Sequence, residues 1–135
     1  MERMADRIRE RLKNLRIGLL RLHKILLDSE REAYERDVER ITSRGQLLEL
    51  VMNDPWFAWL HELSRFIISV DEYLDSKEPT TDAEGERLLE QARNLVSPSE
   101  WGSAAGFARK YFEAMQRDPG VVLAHRDMIR EFEAL

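Results

Sequence analysis

The chain has 135 residues, of which 35% are charged, and its formal net charge is −5. This length predicts one domain, residues 1–135, that buries enough surface to fold without a disulfide or a metal. The absence of cysteine excludes disulfides, thiolate zinc sites, iron–sulfur clusters and cysteine nucleophiles. The acidic balance argues against a general nucleic-acid binder, which carries a basic face.

The N-terminal segment is charged from Glu2 onward, and no apolar stretch follows it. This pattern argues against a secretory signal. The longest apolar run, Trp56–Leu60, has five residues, whereas a helix that spans a bilayer needs about 20. We therefore expect no membrane span and a cytoplasmic location, with which the lack of cysteine is consistent.

Apolar residues recur at helical spacing between the prolines, and the strict alternation that is typical of strands is absent. The first helix, predicted over residues 3–41, carries a heptad seam in which the apolar residues step by four and three. This first seam consists of Ile8, Leu12, Leu15, Leu19, Leu22 and Leu26. A second seam lies beside it and consists of Leu20, Leu27, Tyr34, Val38 and Ile41.

A continuous helix over residues 3–41 would be about 58 Å long, whereas the radius of gyration of a compact domain of this size is about 14 Å. Either the helix breaks near Asp28-Ser29, where Ser29-x-x-Glu32 resembles a capping box, or it overhangs the body. We favour a continuous or bent helix, because neither residue prevents α geometry. Residues 1–24, the basic arm, contain eight Lys/Arg and three acids, and would then project from an acidic body.

The remaining helices are predicted from their capping residues and apolar stripes. Ser43, Asp54 and Thr81 are favourable N-cap residues, and Pro55 suits the first helical position. The helices are expected at about residues 43–53, 55–75, 81–96, 103–117 and 120–134, with a loop at residues 77–80. The predicted fold is an all-α, mostly antiparallel bundle of four to six helices with a long N-terminal helix.

The chain contains the segments Leu22–Arg31 and Asp54–Leu60, and the shorter segments Leu63-Ser64 and Val70-Asp71-Glu72. Together these segments resemble a group of small uncharacterised bacterial proteins. The similarity covers most of residues 20–130. The resemblance implies a bacterial origin and a helical domain. It implies no activity and no site residue.

No constellation of residues predicts catalysis or metal binding. His61-Glu62 begins like the zinc motif H-E-x-x-H, but Arg65 occupies the position of the second ligand. His61 lies about 140° from the centre of the apolar stripe, which predicts a side chain in solvent. None of the three histidines has an acid three residues before it, as a di-iron bundle requires. We expect no catalytic residue, no metal and no cofactor.

The candidate pocket or interface residues are His125, Trp56, Trp59, Trp101 and Tyr111. His125 lies in the middle of an apolar stripe, so it should face the core and need a hydrogen-bond partner; the alternative is a residue that lines a ligand pocket. Aromatic residues at helical spacing usually belong to the core. Phe57 and Trp59 lie about 160° apart on an α-helix, however, so one of them would form either an exposed apolar patch, which would mark a partner site, or a second packing face.

The leading hypothesis is a non-enzymatic protein-interaction or structural module that self-associates, as a dimer through the first helix and an aromatic face. The first seam, the long helix and the missing chemistry support it. The alternative is a small-molecule-binding module with a pocket near His125 and the aromatic clusters. A third hypothesis is a regulatory or nucleic-acid-associated role for the basic arm. The three acids in that arm, and its lack of aromatic residues, argue against nucleic-acid and membrane surfaces.

Overall fold

The computed structural model describes residues 3–76 and 81–133, and this part of the chain is helical with no strand. Its elements in chain order are α1 (Met4–Asp37), α2 (Arg44–Asn53), a 3₁₀ helix (Pro55–Leu60), α3 (His61–Asp75), α4 (Asp82–Leu95), α5 (Phe107–Arg117) and α6 (Pro119–Glu133). The predicted all-α bundle with a long N-terminal helix is confirmed. The loop predicted at residues 77–80 lies outside the described residues.

Helix α1 is continuous through Asp28 and Ser29, as the sequence favours, and its 34 residues make it about 51 Å long. Ser29 does not cap a new helix; its side chain is buried and accepts a hydrogen bond from Arg117 Nε at 3.3 Å. The helix ends at Asp37, before the last residues of the predicted second seam. Tyr34 and Ile41 of that seam are buried and Leu27 is partly buried, whereas Leu20 and Val38 are exposed. The second seam therefore packs over only part of its length.

Helix α1 is the centre of the bundle and contacts α3, α4, α5, α6 and the 3₁₀ helix. All six residues of its first seam are buried. At the N-terminal end, Ile8 is buried against Gly85 of α4, and Arg9 donates a hydrogen bond to the carbonyl of Leu74 at 2.6 Å. Through these contacts the basic arm packs on α3 and α4 of its own chain.

Two polar contacts define how α1 lies against α3. Arg16 Nε and Asp71 Oδ1 form an ion pair at 3.0 Å, and His23 Nε2 and Ser64 Oγ form a hydrogen bond at 2.9 Å. The residue number on α3 falls as the number on α1 rises. The two helices are therefore antiparallel.

The aromatic segment after Asp54 begins as predicted, because the Asp54 side chain accepts a hydrogen bond from Trp56 N at 2.8 Å and Pro55 is the first helical residue. It is wound as a 3₁₀ helix, however, and it contacts α1, α2, α3 and α5. Neighbours on several sides cover it, and both Phe57 and Trp59 are buried. Of the two predicted alternatives, an exposed patch or a second packing face, the burial of both rings supports the second packing face.

Helices α2 and α4 begin at the predicted caps. Ser43 Oγ accepts a hydrogen bond from Gln46 N, and Thr81 Oγ1 accepts one from Glu84 N, each at 3.1 Å. Helix α5 begins later than predicted, at Phe107, so residues 103–106 belong to the preceding loop. This loop makes its own backbone hydrogen bonds instead of extending the helix, which positions the site described next.

Candidate functional site

A cleft of about 640 Å³ lies between α3, α4 and the start of α5. Its volume falls within the range of about 300–1,000 Å³ that is typical of ligand pockets. The lining residues are Glu62, Phe66, Gln91, Asn94, Leu95, Ser103, Gly106, Phe107, Ala108 and Arg109. They come from three helices and one loop, so the cleft is a product of tertiary packing.

The apolar part of the cleft is formed by Phe66 of α3, Leu95 of α4, and Phe107 with Ala108 of α5. The Phe107 ring is buried, and its centroid lies 5.3 Å from that of Trp59. Because Phe107 is held by another buried ring, it provides a fixed apolar surface.

The polar part of the cleft offers one carboxylate, two amides and one guanidinium. Within residues 3–76 and 81–133, the structure shows no hydrogen bond from the side chains of Glu62, Gln91 and Asn94. Arg109 Nε pairs with Glu113 Oε1 at 3.2 Å, so its charge is partly satisfied on its own helix. Glu62, Gln91 and Asn94 are exposed, so the cleft combines an apolar surface with polar groups that face solvent.

The loop between α4 and α5, residues 96–106, is held against the first turn of α5. Ser99 N donates to the carbonyl of Ala108 at 3.0 Å, and Arg109 Nη1 donates to the carbonyl of Glu100 at 3.0 Å. Gly102 lies so close to α5 that an added Cβ would be 3.2 Å from Arg109 N. These contacts give the loop a defined position at the edge of the cleft.

Trp101 is at the turn of this loop, and its side chain is 87% exposed. Its backbone N–H donates to Ser99 Oγ at 3.1 Å, so the backbone beneath the indole is fixed. Two residues later, Ser103 lines the cleft. Tryptophan is among the most buried residues on average and is enriched in the anchors of protein interfaces, whereas this indole lies in solvent.

Three of the five predicted site residues lie in one row of rings. The row runs from Trp59 through Phe107 and Tyr111 to His125, with centroid distances of 5.3, 5.6 and 5.4 Å. Trp56 lies apart from it and packs on Tyr34 at 5.7 Å. Of the five predicted site residues, Trp56, Trp59, Tyr111 and His125 do not line the cleft. Trp101 lies beside it, two residues before Ser103.

His125 has the environment that the sequence predicts for a histidine facing the core. It is half-buried, and Nδ1 lies 2.8 Å from the hydroxyl of the fully buried Tyr111. Burial lowers the pKa of His125 and raises that of Tyr111, because both charged forms lose hydration. The two side chains therefore form a neutral hydrogen-bonded pair at neutral pH.

His61 differs from its prediction. The side chain is half-buried, and Nε2 donates a hydrogen bond to the carbonyl of Val51 at 2.7 Å. The chain turns back between α2 and α3, which brings the end of α2 over this imidazole. The expectation of a solvent-exposed histidine is wrong, because the end of α2 covers the side of α3 on which His61 lies.

Sequence reasoning did not select Glu62, Gln91, Asn94 or Arg109, the polar residues of the cleft. Gln91 and Asn94 are three residues apart, so they share one side of α4. That spacing alone does not distinguish a solvated face from a cleft wall. This side of α4 is a cleft wall because α3 and the α4–α5 loop lie opposite it.

Among the described residues, no group of three or more His, Asp or Glu side chains is placed to hold a metal ion. Nor does any helix in this part of the chain combine the length and apolar content needed to cross a bilayer. Comparisons with models of protein families, with curated proteins and with solved structures give no match.

Proposed function

We propose that the protein is a non-enzymatic protein-interaction module whose binding surface is the cleft together with Trp101. One observation carries the proposal: the Trp101 indole is 87% exposed on a loop that hydrogen bonds hold at the edge of the cleft. An indole in solvent contributes nothing to the core. Its fixed position reduces the entropy that binding would cost.

The Trp101 anchor would supply a substantial part of the free energy of recognition. An aromatic side chain buries about 150–250 Å² in an interface. At about 25 cal/mol per Å², this corresponds to about 4–6 kcal/mol before the costs of association are subtracted. The apolar surface of Phe66 and Phe107 offers a second area of the same kind.

The proposed surface differs from the dimer surface expected from the first helix. The six residues of the first seam are buried in contact with helices of the same chain, so the seam is not open to a second copy. Self-association remains a proposal, and it requires another surface.

The cleft is tested by titrating ¹⁵N-labelled protein with N-acetyl-tryptophanamide, a probe for an aromatic side chain, and with N-acetyl-alaninamide as the control. We expect chemical-shift changes at Gln91, Asn94 and Ala108 with the first probe alone. Ala108→Arg would fill the cleft from a half-buried helix position and abolish these changes. No change with either probe, up to the solubility limit, would overturn the proposal.

Small-molecule binding is the second candidate, and the uncommitted Glu62, Gln91 and Asn94 side chains favour it. A thermal-shift screen of polar metabolites tests it, since a ligand at about 100 times its Kd would add about 2.7 kcal/mol to the stability. Ala108→Arg should remove the stabilisation, whereas Trp101→Ala should not. A ligand whose effect depends on Trp101 instead would support the interaction surface.

A further inference from the structure

We infer that the partner is a second copy of this chain, and that Trp101 of each copy inserts into the cleft of the other. The inference rests on the binding surface proposed above and adds its occupant. The dimer surface is then the cleft with Trp101, which the fold leaves open, and not the first seam of α1, which is buried.

The arrangement of anchor and cleft is self-complementary. Both chain neighbours of Trp101, Glu100 and Gly102, lie against Arg109, which lines the cleft. Each copy therefore carries its anchor beside its own cleft. A two-fold axis brings the same surface of both copies together, so an anchor and a cleft on one surface can be engaged twice. Such an isologous interface is closed, so it yields a dimer and not a filament.

The cleft offers one contact for each part of an indole. The indole N–H is a donor only, and the Glu62 carboxylate, which makes no hydrogen bond within the described residues, is an acceptor. The guanidinium of Arg109 can lie over the ring face, where a cation is attracted. The rings of Phe66 and Phe107 provide the apolar surface for edge or offset contacts.

The fixed loop explains why Trp101 does not fill the cleft of its own chain. Ser99 N–H and the Arg109 guanidinium both hold the loop on α5, by hydrogen bonds of 3.0 Å to the carbonyls of Ala108 and Glu100. With these bonds in place, the indole is 87% exposed. A second copy can reach this exposed indole without rearrangement of the loop.

The expected affinity is low. Two indoles bury about 300–500 Å², and an equal area of cleft wall brings the total to about 600–1,000 Å². Stable interfaces begin at about 1,200 Å², so the dimer should be transient. Each copy carries a net charge of −5, and the two copies therefore repel at long range. Added salt should strengthen the dimer, whereas it would weaken binding to a basic partner.

Sedimentation velocity over about 10 μM to 1 mM protein tests the inference in the range of a weak interface. The wild type should dimerise with concentration, and Trp101→Ala and Ala108→Arg should each weaken dimerisation by about 30-fold or more, as expected for a hot spot. Leu48→Ala is the matched control, because Leu48 is also an exposed apolar residue, at 60%, but belongs to α2. It should leave dimerisation unchanged.

Mixing the two variants separates insertion from structural damage. Trp101→Ala keeps an intact cleft and Ala108→Arg keeps an intact anchor, so their mixture can form one Trp–cleft contact that neither variant forms alone. We expect more dimer in the mixture than in either variant by itself. Damage to the fold would produce no gain on mixing.

The outcomes distinguish the two proposals. A wild type that stays monomeric, or a dimer unaffected by Trp101→Ala, overturns the second copy as partner, as does a mixture without gain. If N-acetyl-tryptophanamide still shifts the cleft resonances in a monomeric wild type, the cleft remains an interaction surface for another chain. If neither dimerisation nor probe binding is observed, both proposals are overturned.

Discussion

The hydroxyl of Tyr111 lies 2.8 Å from Nδ1 of His125, and the two rings meet edge to face with their centroids 5.4 Å apart. This contact joins α5 to α6 in the interior of the bundle. Tyr111 is fully buried, and burial raises its pKa, so the hydroxyl keeps its proton. The pair satisfies two polar groups that would otherwise be costly to bury.

Acid should destabilise the protein through His125. Burial lowers the folded-state pKa of this imidazole below the ordinary value of 6.5, so the unfolded chain binds more protons as the pH falls. The melting temperature should therefore be maintained above the ordinary pKa and decrease between about pH 7 and 5. His125→Gln keeps an acceptor for the Tyr111 hydroxyl and should flatten this part of the profile. An unchanged profile in the variant would contradict the assignment. His23, whose pKa burial also lowers, accounts for any remaining slope.

Removing the Tyr111 hydroxyl should cost stability. Tyr111→Phe leaves the His125 Nδ1 atom without its partner, and we expect a loss of about 1–2 kcal/mol in urea unfolding. Tyr73→Phe is the comparison, because the Tyr73 hydroxyl donates to the carbonyl of Thr81 at the longer distance of 3.3 Å. A smaller loss is expected there. Equal losses in the two variants would show that the Tyr111–His125 hydrogen bond contributes no more to stability than the Tyr73–Thr81 bond.

The ion pair between Glu30 and Arg117 connects α1 to the end of α5. The Glu30 side chain is 7% exposed and that of Arg117 is 31% exposed, so Arg117→Ala leaves a nearly buried carboxylate unpaired. We expect a loss of about 1–3 kcal/mol, below the value for a fully buried pair. Adding Glu30→Gln to this variant removes the buried charge and should recover part of the loss. A further loss in the double variant would contradict this explanation.

The Arg31–Glu35 pair, in which neither side chain is buried, is the control for that experiment. Its side chains are 42% and 32% exposed, and its partners are one helical turn apart. Arg31→Ala should cost at most about 0.5 kcal/mol, since solvent screens such pairs.

Two glycines in helices should respond in opposite directions to alanine. At Gly85, an added Cβ would lie 2.3 Å from Ile8 Cγ2 and 2.7 Å from the Tyr73 hydroxyl, in a buried contact between α4 and its neighbours. Gly85→Ala should destabilise the protein by about 1–3 kcal/mol through overpacking. At Gly45 the nearest atom is Ser43 Oγ at 3.9 Å, so Gly45→Ala should stabilise α2 by up to about 1 kcal/mol. Thermal unfolding of both variants tests the pair, and a gain at Gly85 would contradict the close approach.

Local patterns account for the predictions that the structure confirms. The first seam of α1 is buried along its whole length, and the caps at Ser43, Asp54 and Thr81 make the expected hydrogen bonds. Helical periodicity and side-chain caps act within a few residues, so they are visible in the sequence. The continuous helix through Ser29 follows from the same local rules.

Predictions that depended on distant neighbours were less successful. His61 was expected in solvent, but the end of α2 covers it; Phe57 and Trp59 were expected on opposite faces of an α-helix, but a 3₁₀ segment surrounded by helices buries both. In each case the missing information was which helix would pack against the residue. Propensity and periodicity carry no such information.

By itself, the sequence determined the helical class, the starts of several helices and the apolar stripe on which α1 packs, because these depend on interactions within about one or two turns. Only the tertiary structure decided which aromatic side chain remains in solvent and where a cleft forms. Trp101 is exposed because the α4–α5 loop is held on α5, and the cleft exists because α3, α4 and α5 meet without filling the space between them. Both features result from contacts between residues that are far apart in the chain.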